Sequence, residues 1–317
     1  MGERTVYLVP YTGERSVHVN GLEIAHDAFG RRGDPPVLLI MGLGSQMVMW
    51  EDEFCERLAA RGLYVVRFDN RDSGRSTRLD SLGMPSFKGL FTAGLRPPYT
   101  LADMASDTLG LMDALDLPSA HIVGASMGGM IAQIMAIGHP GRVWSLTLIM
   151  TSSGHPFLPP PKPEALKVLL NPIPVRRERF IEHFIRVWRV LSGGQIPMDP
   201  VRIRRLGELC FERGVSPGGS ARQLAAILVS GSRKGMLANL KVPALVVHGD
   251  ADPLLVKECG IDLAESIPGS RLKMIKGMGH ALPPAVWNDV ITAIVRHIGL
   301  EDGYSRGAPG PGTKERG

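Results

Sequence analysis

Cysteine is scarce in this sequence: Cys55, Cys210 and Cys259 are the only three in 317 residues. Three scattered thiols build neither a disulfide framework nor a CxxC zinc site, and they favour a reducing, cytoplasmic setting. No apolar run approaches the ~18 residues of a membrane-spanning helix. The first residues lack a basic segment followed by an apolar one, so no secretion signal is expected. No segment repeats at a period of ~20–50 residues, which argues against solenoids and propellers. The 38 glycines show no Gly-X-Y period, so the chain is not collagen-like. Nucleic acid is not an expected partner either. The formal net charge is +5, and nine arginines lie between Arg176 and Arg213, in a stretch with no recognised nucleic-acid motif. They read as a solvated helical face, with a positive rim that attracts an anionic substrate as the sharper alternative.

What is present is a globular composition, 44% hydrophobic and 21% charged. Short apolar segments recur as strands: Ser16–Asn20, Leu22–Phe29, Val37–Met41, Tyr64–Phe68, Ala120–Ala125, Val143–Met150, Val242–His248 and Arg271–Ile275. The first two meet at Asn20-Gly21, a hairpin signal. Helical spacing appears in Trp50, Phe54, Leu58 and Ala59, ended by Gly62, and again over Leu101–Leu115, Met127–Ile137, Glu258–Ile267 and Ala285–Ile298. Strands alternating with helices predict an α/β fold with a mostly parallel sheet wrapped by helices. Residues 151–240 break the alternation, because they contain no convincing strand. The predicted organisation is therefore a core of residues 16–150 and 241–298 with a helical insertion, 151–240, placed over the sheet. Residues 80–100 form a second, smaller Gly- and Pro-rich loop. Residues 1–15 and 299–317 lie outside the core, and the tail from Glu301 is expected to be disordered.

Gly124-Ala-Ser126-Met-Gly128 matches the G-x-S-x-G nucleophile elbow, a sharp strand-to-helix turn that exposes a serine. A buried strand precedes it, a helix follows it, and small residues stand two positions either side. Gly214-Val-Ser216-Pro-Gly218 has the same spelling but neither flanking element, and Pro217 lacks the N–H that must face an oxyanion. Ser126 is thus the candidate nucleophile and Ser216 is not. A serine hydroxyl needs a base, and the chain order of this arrangement is Ser, Asp/Glu, His. His297 falls inside the last helical pattern, whereas His280 lies in a glycine-rich loop after a strand, so His280 is the candidate general base. The acid should follow a strand end, and His248-Gly-Asp250-Ala-Asp252-Pro offers two carboxylates, Asp250 and Asp252. Spacing gives Asp252 only a small lead.

Together the elbow, the Gly-Asp-Ala-Asp252-Pro turn and Gly-Met-Gly-His280 resemble the α/β-hydrolase family. Within it, Met41-Gly-Leu-Gly, Asp69-Asn-Arg-Asp-Ser-Gly-Arg-Ser76 and Gly277-Met-Gly-His-Ala-Leu-Pro283 resemble the aclacinomycin methylesterase and bacterial lipase/esterase G groups. The likeness covers roughly residues 16–298. It implies Asp252 as the acid of a Ser126–His280–Asp252 triad, and the backbone N–H groups of Leu43 and Met127 as the oxyanion hole. It implies no metal or organic cofactor. Met41-Gly42 replaces the His-Gly of many relatives, and Asp72 stands where a common family pattern has Gly, although the methylesterase group accepts Asp there. Asp69, Arg71 and Ser76 read as loop-shaping residues.

The resulting expectation is a serine hydrolase of carboxylic esters that works through an acyl-enzyme. Its substrate would be a small apolar molecule, such as a methyl or acyl ester of a lipid or polyketide-like metabolite. The same triad serves thioesterases, C–C hydrolases and acyltransferases, and a low-turnover ligand receptor can be built on the same fold. The apolar side chains Phe180, Phe184, Ile185, Val187, Trp188, Leu191, Leu209 and Phe211 suggest a hydrophobic cap, part of them forming the cap's own core.

Overall fold

The computed structural model describes residues 8–85 and 95–300. The middle of the 80–100 loop and the tail from Glu301 lie outside the described residues. Eight strands form one sheet: β1 (Arg15–Val19), β2 (Leu22–Phe29), β3 (Pro36–Ile40), β4 (Tyr64–Phe68), β5 (Ala120–Ala125), β6 (Val143–Ile149), β7 (Ala244–Gly249) and β8 (Arg271–Ile275). Their spatial order is β1-β2-β4-β3-β5-β6-β7-β8. β2 runs antiparallel to both β1 and β4, and every other pairing is parallel.

The central strands read as continuous apolar runs because both faces are covered. In β3, Leu38 and Ile40 join one core layer while Val37 and Leu39 join the other, and β7 divides Ala244 and Val246 from Leu245 and Val247 in the same way. This is the two-residue period of a strand expressed in a doubly covered sheet. Helices α2 (Leu101–Ala114) and α3 (Met127–Gly138) fill the first layer. α1 (Asp52–Ala59) and α10 (Pro284–Ile298) fill the second. α9 (Lys257–Ser266) crosses between β7 and β8. α2 opens with a reciprocal Thr100–Asp103 capping box, which satisfies two otherwise orphaned donors.

Trp50 is the one correction to the core pattern. Its spacing from Phe54 fits a helix, but α1 begins only at Asp52, and Trp50 follows a short 3₁₀ turn, Met47–Met49. Its position is fixed by stacking on Phe54, with ring centroids 5.5 Å apart, and not by helical phase.

Residues 151–240 carry no strand. They fold as α4 (Pro163–Leu170), α5 (Arg177–Leu191), α6 (Pro200–Arg213), α7 (Pro217–Val229) and the single turn α8 (Lys234–Leu237). Phe180, Phe184, Ile185 and Phe211 pack with Met47 and Val48 of the core. Val187, Trp188 and Leu191 pack against Ala165 and Val168, and Leu209 is exposed. No helix among the described residues is long and apolar enough to cross a membrane.

Candidate active site

Three loops at the C-terminal ends of β5, β7 and β8 bring Ser126, Asp252 and His280 together. His280 Nε2 is 3.0 Å from Ser126 Oγ, and His280 Nδ1 is 2.7 Å from Asp252 Oδ2. Asp252 and His280 are buried, whereas Ser126 keeps partial access.

Local sequence explains the turn at Ser126. Its φ of +55° and ψ of −120° are strained for a side-chain-bearing residue. Such a turn folds only where nothing crowds it. A Cβ on Gly124 would lie 2.3 Å from the Gly128 carbonyl oxygen, and one on Gly128 would lie 2.1 Å from that of Ile40. Ser126 is fastened on both sides of its peptide: its N–H donates to Ile149 O at 3.0 Å, and Thr151 Oγ1 donates to its carbonyl at 2.7 Å. Met127 is the first residue of α3, so its N–H has no partner within the helix. The backbone after β3 comes equally close: a Cβ on Gly42 would stand 3.0 Å from Ser126 Cβ and 3.5 Å from Ser126 Oγ. Asn70 Nδ2 steadies that stretch by donating to Met41 O at 3.0 Å. The backbone at Gly42 and the start of α3 at Met127 therefore both lie close to the serine.

The two carboxylates of the β7 turn differ in use. Asp252 turns Oδ2 to His280 and accepts the Leu254 and Leu255 amides on Oδ1, at 2.8 and 2.9 Å. Asp250 is exposed and accepts the Gly277 amide at 2.6 Å, so it closes the turn. Beneath Asp252 lies His248, fully buried, with Nε2 donating to Leu255 O at 2.7 Å. Burial holds its pKa below the ordinary histidine value. The His280 loop is anchored from the inserted segment, because the His280 amide donates to Leu191 O at 2.7 Å. Gly279 permits that approach: a Cβ there would meet the Ser192 backbone at 2.3 Å.

Ser216 is not at the site, but one expectation about it needs correction. A helix does follow it: Ser216 caps α7, its side chain accepting the Gly219 amide. Pro217 occupies the first helical position, where a missing N–H costs nothing. The match to the elbow pattern is thus a helix cap with glycines.

The loop-shaping residues behave as expected. The Asp69 carboxylate accepts the Met47 and Arg75 amides at 2.7 and 3.0 Å and pairs with Arg213. Ser76 Oγ donates to Asp69 O, and Arg71 pairs with Asp107. Asp72 has a φ of +67°, which accounts for glycine in the common pattern. Its carboxylate accepts from Arg222, Tyr99 and the Leu79 amide. Burial alone would push its pKa up, but these bonds hold it below the usual range.

A cleft opens at the residues that follow β3 and His280, with Met41 and Ala281 in its wall. Its walls include Met41, Met49 and Met150 from the core and Trp188, Ile196, Met198, Ile203 and Leu206 from the inserted segment, with Ala281 next to His280. Of the eight apolar residues singled out in the sequence, only Trp188 lines it; six of the others serve packing and Leu209 is exposed. Arg202 is the one charged side chain in the wall, and Glu51 pairs with it on two nitrogens.

The sequence profile of the alpha/beta hydrolase fold matches residues 35–195. Rhodomycin D methylesterase DauP of Streptomyces sp. strain C5 is 32% identical over 86% of this chain and 93% of its own length. The chain belongs to the alpha/beta hydrolase family. Rhodomycin D methylesterase DnrP of Streptomyces peucetius is 31% identical over the same shares. Among solved structures, the 2-hydroxy-6-oxo-6-phenylhexa-2,4-dienoate hydrolase of a Rhodococcus species superposes with a TM-score of 0.73. It is 18% identical, over 91% of this chain and 99% of its own, a likeness of fold.

Proposed function

We propose that this ester hydrolase cleaves a carboxylic ester through an acyl-enzyme on Ser126. The observation that carries the reading is the unbroken chain from Ser126 Oγ through His280 to Asp252, at 3.0 and 2.7 Å, on a positive-φ elbow. In this reading His280 Nε2 takes the Ser126 proton as Oγ attacks the ester carbonyl, and Asp252 holds the imidazole tautomer and stabilises the imidazolium. The Leu43 and Met127 amides receive the negative charge that develops on the carbonyl oxygen. Collapse expels the alcohol, protonated by His280, and His280 then activates the water that cleaves the acyl-enzyme.

The cleft supports an apolar ester, since its wall is largely methionine and aliphatic. The two methylesterase relatives support a methyl ester of a polyketide-like metabolite. Residues 151–240 act as a cap that shapes this cleft over the 16–150 and 241–298 core. Three buried, free cysteines support a cytoplasmic setting.

Fluorophosphonate labelling with adduct mapping tests the nucleophile. Modification at Ser126, with Ser216 untouched, is the expected result. An adduct confined to residues 214–218 refutes the assignment.

A further inference from the structure

Arg202 stands in a cleft wall that otherwise holds only apolar side chains and one hydroxyl, that of Ser192. A guanidinium against apolar surface is unfavourable unless its charge and its N–H groups are met, and here they are met on one side. Glu51, the residue before α1, takes the edge formed by Nε and Nη2. Its Oε2 accepts from Nε at 2.9 Å, and its Oε1 accepts from Nη2. The guanidinium carbon lies 5.7 Å from the centroid of the Trp287 ring on α10, within reach of a cation–π attraction. The backbone is fixed as well. The Val201 and Arg202 amides donate to the Asp199 carboxylate, the cap of α6, at 2.9 and 3.2 Å.

Arginine carries five N–H donors in a rigid fork, and Glu51 takes two of them. The other three, two on Nη1 and one on Nη2, have no partner among the described residues. Neither Glu51 nor Trp287 lines the cleft, although Arg202 does. The edge and the face given to those two residues are thus directed away from it, and the edge opposite Glu51 is what the side chain has left to offer there. A wholly apolar substrate would cover these donors and leave them without water or an acceptor, an unfavourable exchange. A substrate carboxylate would meet the negative charge of Glu51 together with the positive charge of Arg202. An uncharged carbonyl accepts the N–H groups and meets no such opposition.

We propose that Arg202 is a specificity-determining residue: its free edge selects, among apolar esters, those that carry a second, uncharged oxygen acceptor such as a ketone on the body of the acid. The inference rests on the ester-hydrolase reading above and names the substrate class within it. The competing role is a clip, in which the pair with Glu51 does no more than tie α6 to the core.

The test uses the full-length protein with methyl oxodecanoates, in which a ketone occupies successive positions of one chain, each compared with methyl decanoate. In the wild type one position, or two neighbouring ones, should be preferred in kcat/KM by about 10-fold or more. R202M keeps a stem of similar length and removes every donor, so this preference should fall to about twofold or less. A clip would lower both esters together and leave their ratio as in the wild type. That result, or a wild type that favours no ketone position, overturns the proposal. E51Q is the second variant, should R202M not fold. It keeps the guanidinium and removes the balancing charge. The monomethyl dicarboxylate whose carboxylate falls at the preferred ketone position should then gain about 10-fold over methyl decanoate relative to the wild type, and an unchanged ratio overturns the proposal. Fluorophosphonate labelling of the wild type separates the two levels. Labelling at Ser126 with an unchanged R202M ratio sinks only the role of Arg202, whereas absence of labelling at Ser126 sinks the mechanism beneath it.

Discussion

Asp252 and His280 share a single short contact, Oδ2 to Nδ1 at 2.7 Å, and the second oxygen of Asp252 is fully employed on the Leu254 and Leu255 amides. The carboxylate is thereby fixed in the direction in which it receives the imidazole N–H. Asp252→Asn can offer its own NH₂ to Nδ1 only by forcing the wrong tautomer, and a loss in kcat of about 10⁴-fold is expected. Asp250→Asn should cost far less, since its amide oxygen still accepts from Gly277. Steady-state kinetics on the two single variants checks the order, and the reverse ranking would assign the acid to Asp250.

Ser126→Ala should reduce kcat by about 10⁴-fold or more and leave Tm near that of the wild type. The Oγ is used by His280, while the backbone bonds to Ile149 and Thr151 keep the turn in place without it.

Gly128→Ala should destabilise far more than its one methyl group suggests. The new Cβ would lie 2.1 Å from the Ile40 carbonyl oxygen, an atom inside a central strand that cannot yield. Gly138→Ala, in the last turn of the same helix, meets nothing within 4 Å and should be neutral or stabilise by about 0.5–1 kcal/mol. Thermal denaturation of the pair separates a steric requirement from helix propensity, and equal Tm values would refute it.

Stability should fall on mild acidification. Burial lowers the pKa of His121 to about 4, helped by the nearby His297, and burial also lowers His26, His248 and His297. A histidine depressed in the folded state and near 6.5 when unfolded binds more protons unfolded, so stability rises with pH in that interval. The contribution is complete above about pH 6.5 and is lost as pH falls towards about 4 for His121. His121→Gln, which can still bond Ser145 Oγ, should lose less Tm than the wild type between pH 7.5 and pH 5. Identical slopes would remove His121 from the account.

Most of the strands and the helices of the core are legible in the sequence to within two residues at each end, because a doubly covered sheet writes continuous apolar runs and its crossover helices write a 3.6-residue period. Ser126 and His280 are legible because strained turns demand glycine at fixed offsets. The carboxylate that meets His280 is not settled by spacing, since Asp250 and Asp252 are both polar turn residues and only the direction of each carboxylate distinguishes them. Arg202, Arg222, Thr151 and Asn70 carry no local signal: each acts on a backbone group or side chain far away in the chain. Asp72 alone gave a hint, by standing at a position that glycine commonly holds. The apolar side chains of the inserted helices mislead for a related reason. Helical spacing reports which face is buried, and most of that face is buried against its own neighbours.

Arg222 and Asp72 are almost completely buried, at 1% and 0% side-chain exposure, and lie 150 residues apart in the chain. Removing Asp72 leaves Arg222 only the exposed Asp80 and the Gly83 carbonyl, and removing Arg222 leaves the Asp72 carboxylate only the Tyr99 hydroxyl and the Leu79 amide; breaking such a buried pair costs about 3–5 kcal/mol, a large share of the 5–15 kcal/mol that typically separates folded from unfolded. A lineage cannot readily change one position first and the other later, because the intermediate falls close to the threshold of folding. The two are expected to persist together or be exchanged together, and α7 inherits that constraint. Where substrate preference diverges among descendants of this chain, the change should gather in α5 and in the turn before α6. These supply Trp188, Ile196 and Met198 to the cleft, and they can drift one residue at a time.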